Sequence, residues 1–361
     1  MILRLIHFSA HAQTPRSDLD LAFVTDDDAS INVAGCDSIT AIDERTGDHV
    51  FDARQTISPG RIAVSSQAKW IASTSSNTGA FIVLLNQLGL NSLRWSTSKI
   101  AAPIVLGGPL AFAPNDTWLL VAGRGQVMRY DVSRFSASGL GGISGEFVSA
   151  DTAAILFTRD SSMAIIVHLN ESVEFIDPST MLRNRPTVQY ANPLRQIRYT
   201  NAAITPDDRF VLITTGGPDI NVIDLVAGST RVVHPDRLGA GYGISINFRS
   251  PDRLVAINAR TAVIVYRVDD RGDFVEQSRT SVPPQGDVIL SNGYVLRHPN
   301  AIAWTSDGSG IIAAIGGPKE FRILDYHPGL SAILSHRLDF NACISDLDQE
   351  LAIDVVTLND R

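Results

Sequence analysis

Leu110-Ala-Phe-Ala-Pro-Asn-Asp116, Leu119-Leu-Val-Ala-Gly123 and Val127-Met-Arg-Tyr-Asp131 stand in immediate succession, and the same phrasing returns along the chain. A short apolar strand is followed by an acidic turn, a second apolar strand, a small-residue turn, and a third strand ending in an apolar-Asp pair. Ala203-Ile-Thr-Pro-Asp-Asp208 with Ile220-Asn-Val-Ile-Asp224 repeats it, as do Ala154-Ile-Leu-Phe-Thr-Arg-Asp160 with Val173-Glu-Phe-Ile-Asp177. So do Leu21-Ala-Phe-Val-Thr-Asp-Asp-Asp28 with Ile39-Thr-Ala-Ile-Asp43, while Phe321-Arg-Ile-Leu-Asp325 ends another repeat. Asn86 and Arg267 hold the aspartate position in two degenerate repeats. The intervals between these positions are 43–47 residues, with one of 58 that contains Ser281-Val-Pro-Pro-Gln-Gly286, read as a loop insertion. Such a period fits one four-stranded blade of a radial repeat.

The chain therefore reads as all-β: one closed β-propeller domain over residues 1–361, with repeats starting near 20, 60, 109, 152, 201, 244 and 300 and a partial repeat at 341. The partial repeat is Asn341-Ala-Cys-Ile-Ser-Asp-Leu-Asp348 with Leu351-Ala-Ile-Asp-Val-Val356. A ring closes best when one blade combines strands from both termini, because no edge is then left open. Counting gives eight blades, one of them composite, with Ile2 to Phe8 as the N-terminal contribution; seven blades is the alternative. Asp43, Asp224 and Asp325 each precede a glycine by four residues (Gly47, Gly228, Gly329), the pattern of a carboxylate bonding its own turn. They read as structural.

The repeats resemble the YVTN and quinoprotein-amine-dehydrogenase-like propeller families and are similar to WD40-like propellers over nearly the whole chain, without the Gly-His and Trp-Asp dipeptides of WD40 repeats. Ala303-Trp-Thr-Ser-Asp-Gly308 also resembles the repeats of TolB-type periplasmic propellers. The resemblance implies a ring that hosts lactonase or quinone-cofactor chemistry in some relatives. It brings no catalytic motif that can be carried over by residue and names no cofactor.

Composition excludes other classes. Lys plus Arg number 30 against 38 Asp plus Glu, a net charge of −8, and no basic run occurs, which argues against nucleic acid as a partner. No stretch approaches the roughly 20 apolar residues of a membrane span. The glycine clusters Gly139-Leu-Gly-Gly-Ile-Ser-Gly145 and Gly239-Ala-Gly-Tyr-Gly243 do not join a strand to a helix, as phosphate cradles do. No nucleophile elbow or zinc helix is present, and the eight histidines show no ligand spacing. Cys36 and Cys343 are the only cysteines; both are expected toward one end of adjoining blades. Ala10-His-Ala12 resembles a signal-peptidase site, which would place the protein in the periplasm or outside the cell. The alternation of Ile2–Phe8 reads instead as an edge strand, consistent with a cytoplasmic chain.

Charge divides between the two ends of the ring. Turns from first to second strands carry Asp26, Asp27, Asp28, Asp116, Asp160, Asp207, Asp208, Asp252 and Asp307. The opposite loops carry Arg61, Arg124, Arg198, Arg260, Arg297 and Lys319, with His168, Tyr199, Tyr242 and His298 nearby, diluted by Asp37, Asp151, Glu171, Asp219 and Glu320. Arg61, Arg198, Tyr242, Arg297 and His298 each lie just before a first strand, so their loops are expected to converge on one channel mouth and to take an anionic ligand. The functional expectation is a monomeric, non-enzymatic scaffold that binds a protein, peptide or small anion there. The alternative is a lactonase-type or quinoprotein-like enzyme with a central-channel site.

Overall fold

A computed structural model describes residues 18–26, 38–43, 49–54, 59–66, 70–75, 79–84, 97–99, 108–123, 125–135, 142–169, 172–190, 201–235, 238, 241–259, 262–281, 288–289, 295–296, 302–305, 308–314, 320–326, 333–339 and 352–359. Within them one three-residue 3-10 turn, Val132–Arg134, interrupts an otherwise all-β chain. No helix of the described residues is long and apolar enough to cross a membrane.

The strands form seven four-stranded antiparallel sheets and one two-stranded ribbon, Val288–Ile289 with Val295–Leu296. The ribbon lies in the long interval between repeats. One strand of each sheet touches its counterparts in the two flanking sheets, and these contacts run through all seven and return to the start. In chain order these inner strands are Pro59–Val64, Leu110–Phe112, Thr152–Phe157, Asn201–Ile204, Gly241–Ile246, Ile302–Trp304 and Ala352–Asn359. The result is a closed β-propeller. Blades 2 to 7 take the first six of these strands; blade 1 takes the last.

Blade 1 is the composite blade, closed differently from the sequence reading. Ala352–Asn359 pairs directly with Asp18–Asp26, aligning Leu21 with Val356 and Val24 with Ile353. Ser38–Asp43 and His49–Arg54 complete the sheet. Repeat one therefore supplies the second, third and outer strands, and the C-terminal segment supplies the inner one. Reading the two as separate repeats gave eight blades. Among the described residues they make a single blade, and the four-stranded sheets number seven. Ile2–Phe8, Cys36 and Cys343 fall outside the described residues.

The third-strand aspartates stand as expected. Asp43, Asp131, Asp177, Asp224 and Asp325 are each the last residue of a third strand, at one end of the ring. Asp177 accepts bonds from the Ser179 amide and hydroxyl, and Asp224 from the amides of Val226 and Ala227, with Gly228 at φ +62° closing that turn. These bonds hold the Asp177 carboxyl below its ordinary range.

Second strands are buried on both faces by the flanking blades, so they read as unbroken apolar runs. Ala164–His168, Phe210–Thr214 and Leu254–Ala259 are buried throughout. Between blades 3 and 4, Leu120, Val127 and Phe147 meet Ile155, Ile166 and Ile176. Between blades 4 and 5, Ile165, Phe175 and Tyr190 meet Val211, Ile213 and Ile223.

The acidic turns are clasps between blades. Asp116, Ser161, Asp208, Arg253 and Gly308 occupy equivalent turns and all have positive φ. Each reaches the turn of the preceding blade. Asp116 accepts from the Ser66 amide and hydroxyl, Ser161 Oγ from the Asn115 amide, and Asp208 from the Arg159 amide. Arg253 donates to Asp207, and the Gly308 carbonyl accepts from the side-chain Nδ2 of Asn247. Asp116, Asp207 and Asp208 among the acidic turn residues thus bridge neighbouring blades at this end of the ring.

Candidate functional site

The end opposite the clasps is where the chain enters each inner strand, the end at which the sequence places the channel mouth. Arg61 and Tyr242 lie inside their inner strands, as third residue of Pro59–Val64 and second of Gly241–Ile246, and not in the loops before them as the sequence suggested, because these strands begin earlier than the apolar pattern marks. Arg198, Arg297 and His298 lie outside the described residues. Asp26 changes sides relative to the sequence reading. It ends the second strand of blade 1, at the end of the ring where the inner strands begin.

Beneath the mouth, between blades 3 and 4, sits a buried polar hub that the sequence reading did not assemble. His168 ends the second strand of blade 4 and is fully buried, so it supports the mouth from below and does not reach solvent. Its Nε2 lies 3.0 Å from Glu174 Oε2, on the adjacent third strand. The neutral ring that donates there leaves Nδ1 as an acceptor, 3.4 Å from Ser149 Oγ in the loop entering the blade 4 inner strand. Arg183 of the outer strand pairs with the other oxygen of Glu174. The His168 carbonyl accepts from the Tyr190 phenol at 2.7 Å, and Tyr190 is the last described residue before the chain enters blade 5. One residue thus ties down the approaches to two neighbouring inner strands, by its ring on one side and its carbonyl on the other.

The arrangement is Ser-His-Glu in composition and structural in use. Ser149 and Glu174 are buried together with the ring, so the three groups bond chiefly to one another. Glu174 stands in the third strand because the face it shares with Ile176 is sealed by blade 3, where a charge persists only with partners. A lone glutamate inside Val173-Glu-Phe-Ile-Asp177 was the available signal: in a doubly covered strand it demands a buried donor.

Burial pushes the His168 imidazole below its ordinary value despite the facing carboxylate of Glu174, with Arg183 acting in the same direction as burial. The unfolded chain therefore takes up a proton near pH 6.5 that the folded ring resists. Stability is expected to be full above about pH 6.5 and to fall as the pH drops below it. Urea midpoints measured from pH 8 to 5 should show this fall, and His168→Gln should flatten it.

A cleft of about 300 Å³ opens at the clasp end between blades 4 and 5, lined by Thr158, Asp160, Asn184, Arg185, Asp208 and Leu225 among others. Its carboxylates are already engaged. Asp160 accepts from Thr158 and Ser162, and Asp208 from Arg159. Among the described residues no group of three or more acidic, histidine or cysteine side chains is placed to hold a metal.

No family model matches this chain, and no curated protein matches it. Solved structures do. A Bacteroides fragilis protein with a provisional 6-phosphogluconolactonase name superposes with a TM-score of 0.68 at 13% identity, over 95% of this chain and 100% of that one. The periplasmic gluconolactonase of Pseudomonas aeruginosa gives 0.65 at 14% identity, over 93% and 99%. The β-propeller domain of Cps50 (Swd1) from Myceliophteria thermophila gives 0.55 at 13%, over 78% and 87%. At these identities the likeness is one of fold.

Proposed function

We propose that this chain is a lactonase-type propeller that binds a small anionic sugar lactone at the channel mouth and opens its ring by hydrolysis. The observation that supports the reading is that Arg61 and Tyr242 fall in the first halves of two inner strands, the third residue of Pro59–Val64 and the second of Gly241–Ile246. Arg198 precedes the blade 5 inner strand at Asn201, and Arg297 and His298 precede that of blade 7 at Ile302. End-to-end likeness to two structures named for lactonase activity supports the same reading.

The chemistry suits these groups. Arginine forks take phosphate or carboxylate, and a tyrosine offers a flat amphipathic surface to a sugar ring. In hydrolysis a water oxygen bonds to the acyl carbon, the ring C–O bond breaks, and a proton from the water passes to the departing ring oxygen. A cationic rim stabilises the oxyanion that forms between these steps. His298 is the rim residue proposed to carry that proton, because an imidazole can both take and give one near neutral pH.

The test is lactone hydrolysis followed against the spontaneous background, with a phosphorylated and an unphosphorylated gluconolactone. The expected result is turnover of both, faster for the phosphorylated one and suppressed by salt. Background rates with both substrates, alongside retained binding of the sugar acid, would leave a non-enzymatic binding scaffold in place of the enzyme.

A further inference from the structure

We infer that the seam between blades 4 and 5 encloses one ordered water held by the side-chain amide of Asn221. Asn221 belongs to the third strand of blade 5, in register with Ile213 and Val232. It is 1% exposed, and neither its Oδ1 nor its Nδ2 meets a protein partner. Ile223, two residues along the same strand, packs against Ile165, Phe175 and Tyr190 of blade 4, so the alternation of the strand turns Asn221 toward the same seam.

Asn221 holds the place in blade 5 that Glu174 holds in blade 4, each three residues before the third-strand aspartate. In blade 4 this buried polar position is met by His168 and Arg183. In blade 5 the outer strand places Val232 opposite, and neither amide atom is met. An amide offers up to about four hydrogen bonds, and buried polar atoms in native proteins are almost always satisfied.

The enclosure selects the guest. No solute can reach a side chain sealed to this degree, whereas a water needs only about 10–15 Å³ and two to four polar neighbours. Tyr190 of blade 4 and Thr215, just past the second strand of blade 5, are buried hydroxyl-bearing residues of this region. The inference is independent of what the mouth binds.

Two measurements test it. A high-resolution crystal structure should show a water within about 2.7–3.2 Å of the Asn221 amide and bonded to at least one further protein atom. Oxygen-17 relaxation dispersion in solution should count one fewer long-lived water in Asn221→Leu than in the parent protein. Asn221→Val, smaller and suited to a strand, takes its place if the leucine variant does not fold. An amide bonded directly to protein groups in the crystal, or an unchanged count of long-lived waters in the folded variant, overturns the inference.

Discussion

A chain ending at Leu351 should lose its cooperative unfolding transition. The deletion removes the inner strand of blade 1, Ala352–Asn359, which pairs with Asp18–Asp26 over eight register positions and touches the inner strands of blades 2 and 7. Its loss opens the ring and bares a strand edge on blade 1. Each net backbone hydrogen bond contributes about 1 kcal/mol, so the pairing alone amounts to several kcal/mol. Net stabilities of folded chains are only about 5–15 kcal/mol. Denaturation followed by circular dichroism should show a broad, early transition, or a protein that aggregates on expression. A synthetic peptide spanning residues 350–361, added in trans, should restore a single transition by supplying the missing strand. A truncated chain with the parent midpoint would contradict the closure described here.

Glu174→Ala should destabilise the protein by about 2–4 kcal/mol, from an unpaired buried imidazole N–H together with a cavity. Arg183 adds little to this loss: its side chain is 56% exposed and turns to water when its partner goes. Glu174→Gln keeps an acceptor for His168 and should cost about 1 kcal/mol. The order of the two variants separates hydrogen-bond loss from charge loss, and chemical denaturation at pH 7.5 reads it. Equal costs would mean that the carboxylate charge, and not its acceptor role, holds the hub. Because His168 anchors both Ser149 and Tyr190, Glu174→Ala should also loosen the two approaches to the mouth, visible as faster amide exchange at residues 149–152.

The blades were legible because their signals are local. An aspartate that bonds its own turn must recur wherever the turn recurs, so Asp131, Asp177 and Asp224 marked strand ends correctly. The phase of the first blade was not legible. Leu21–Asp26 is apolar like any inner strand, and its true inner neighbour lies more than 300 residues away in sequence, where no local pattern reports the pairing. The acidic turns were read as a charged face because composition counts carboxylates without their partners. Asp116 and Asp208 are engaged by the preceding blade, which only the closed ring brings within reach. The hub escaped for the same reason: Ser149, His168, Glu174 and Arg183 come from a loop and three strands, and their chemistry exists only once blade 4 has folded against blade 3.

The claim that the mouth receives a small anion is tested most directly by replacing Arg198 and Arg297 together with alanine and titrating 6-phosphogluconate calorimetrically at low and high salt. Loop charges contribute little to stability, so the double variant should keep the parent unfolding midpoint. Affinity at low salt should fall about tenfold or more, equivalent to ~1.4 kcal/mol, and its dependence on salt should flatten. Unchanged affinity in a folded double variant, with the loss appearing instead on replacing Arg185 in the cleft at the clasp end, would contradict it.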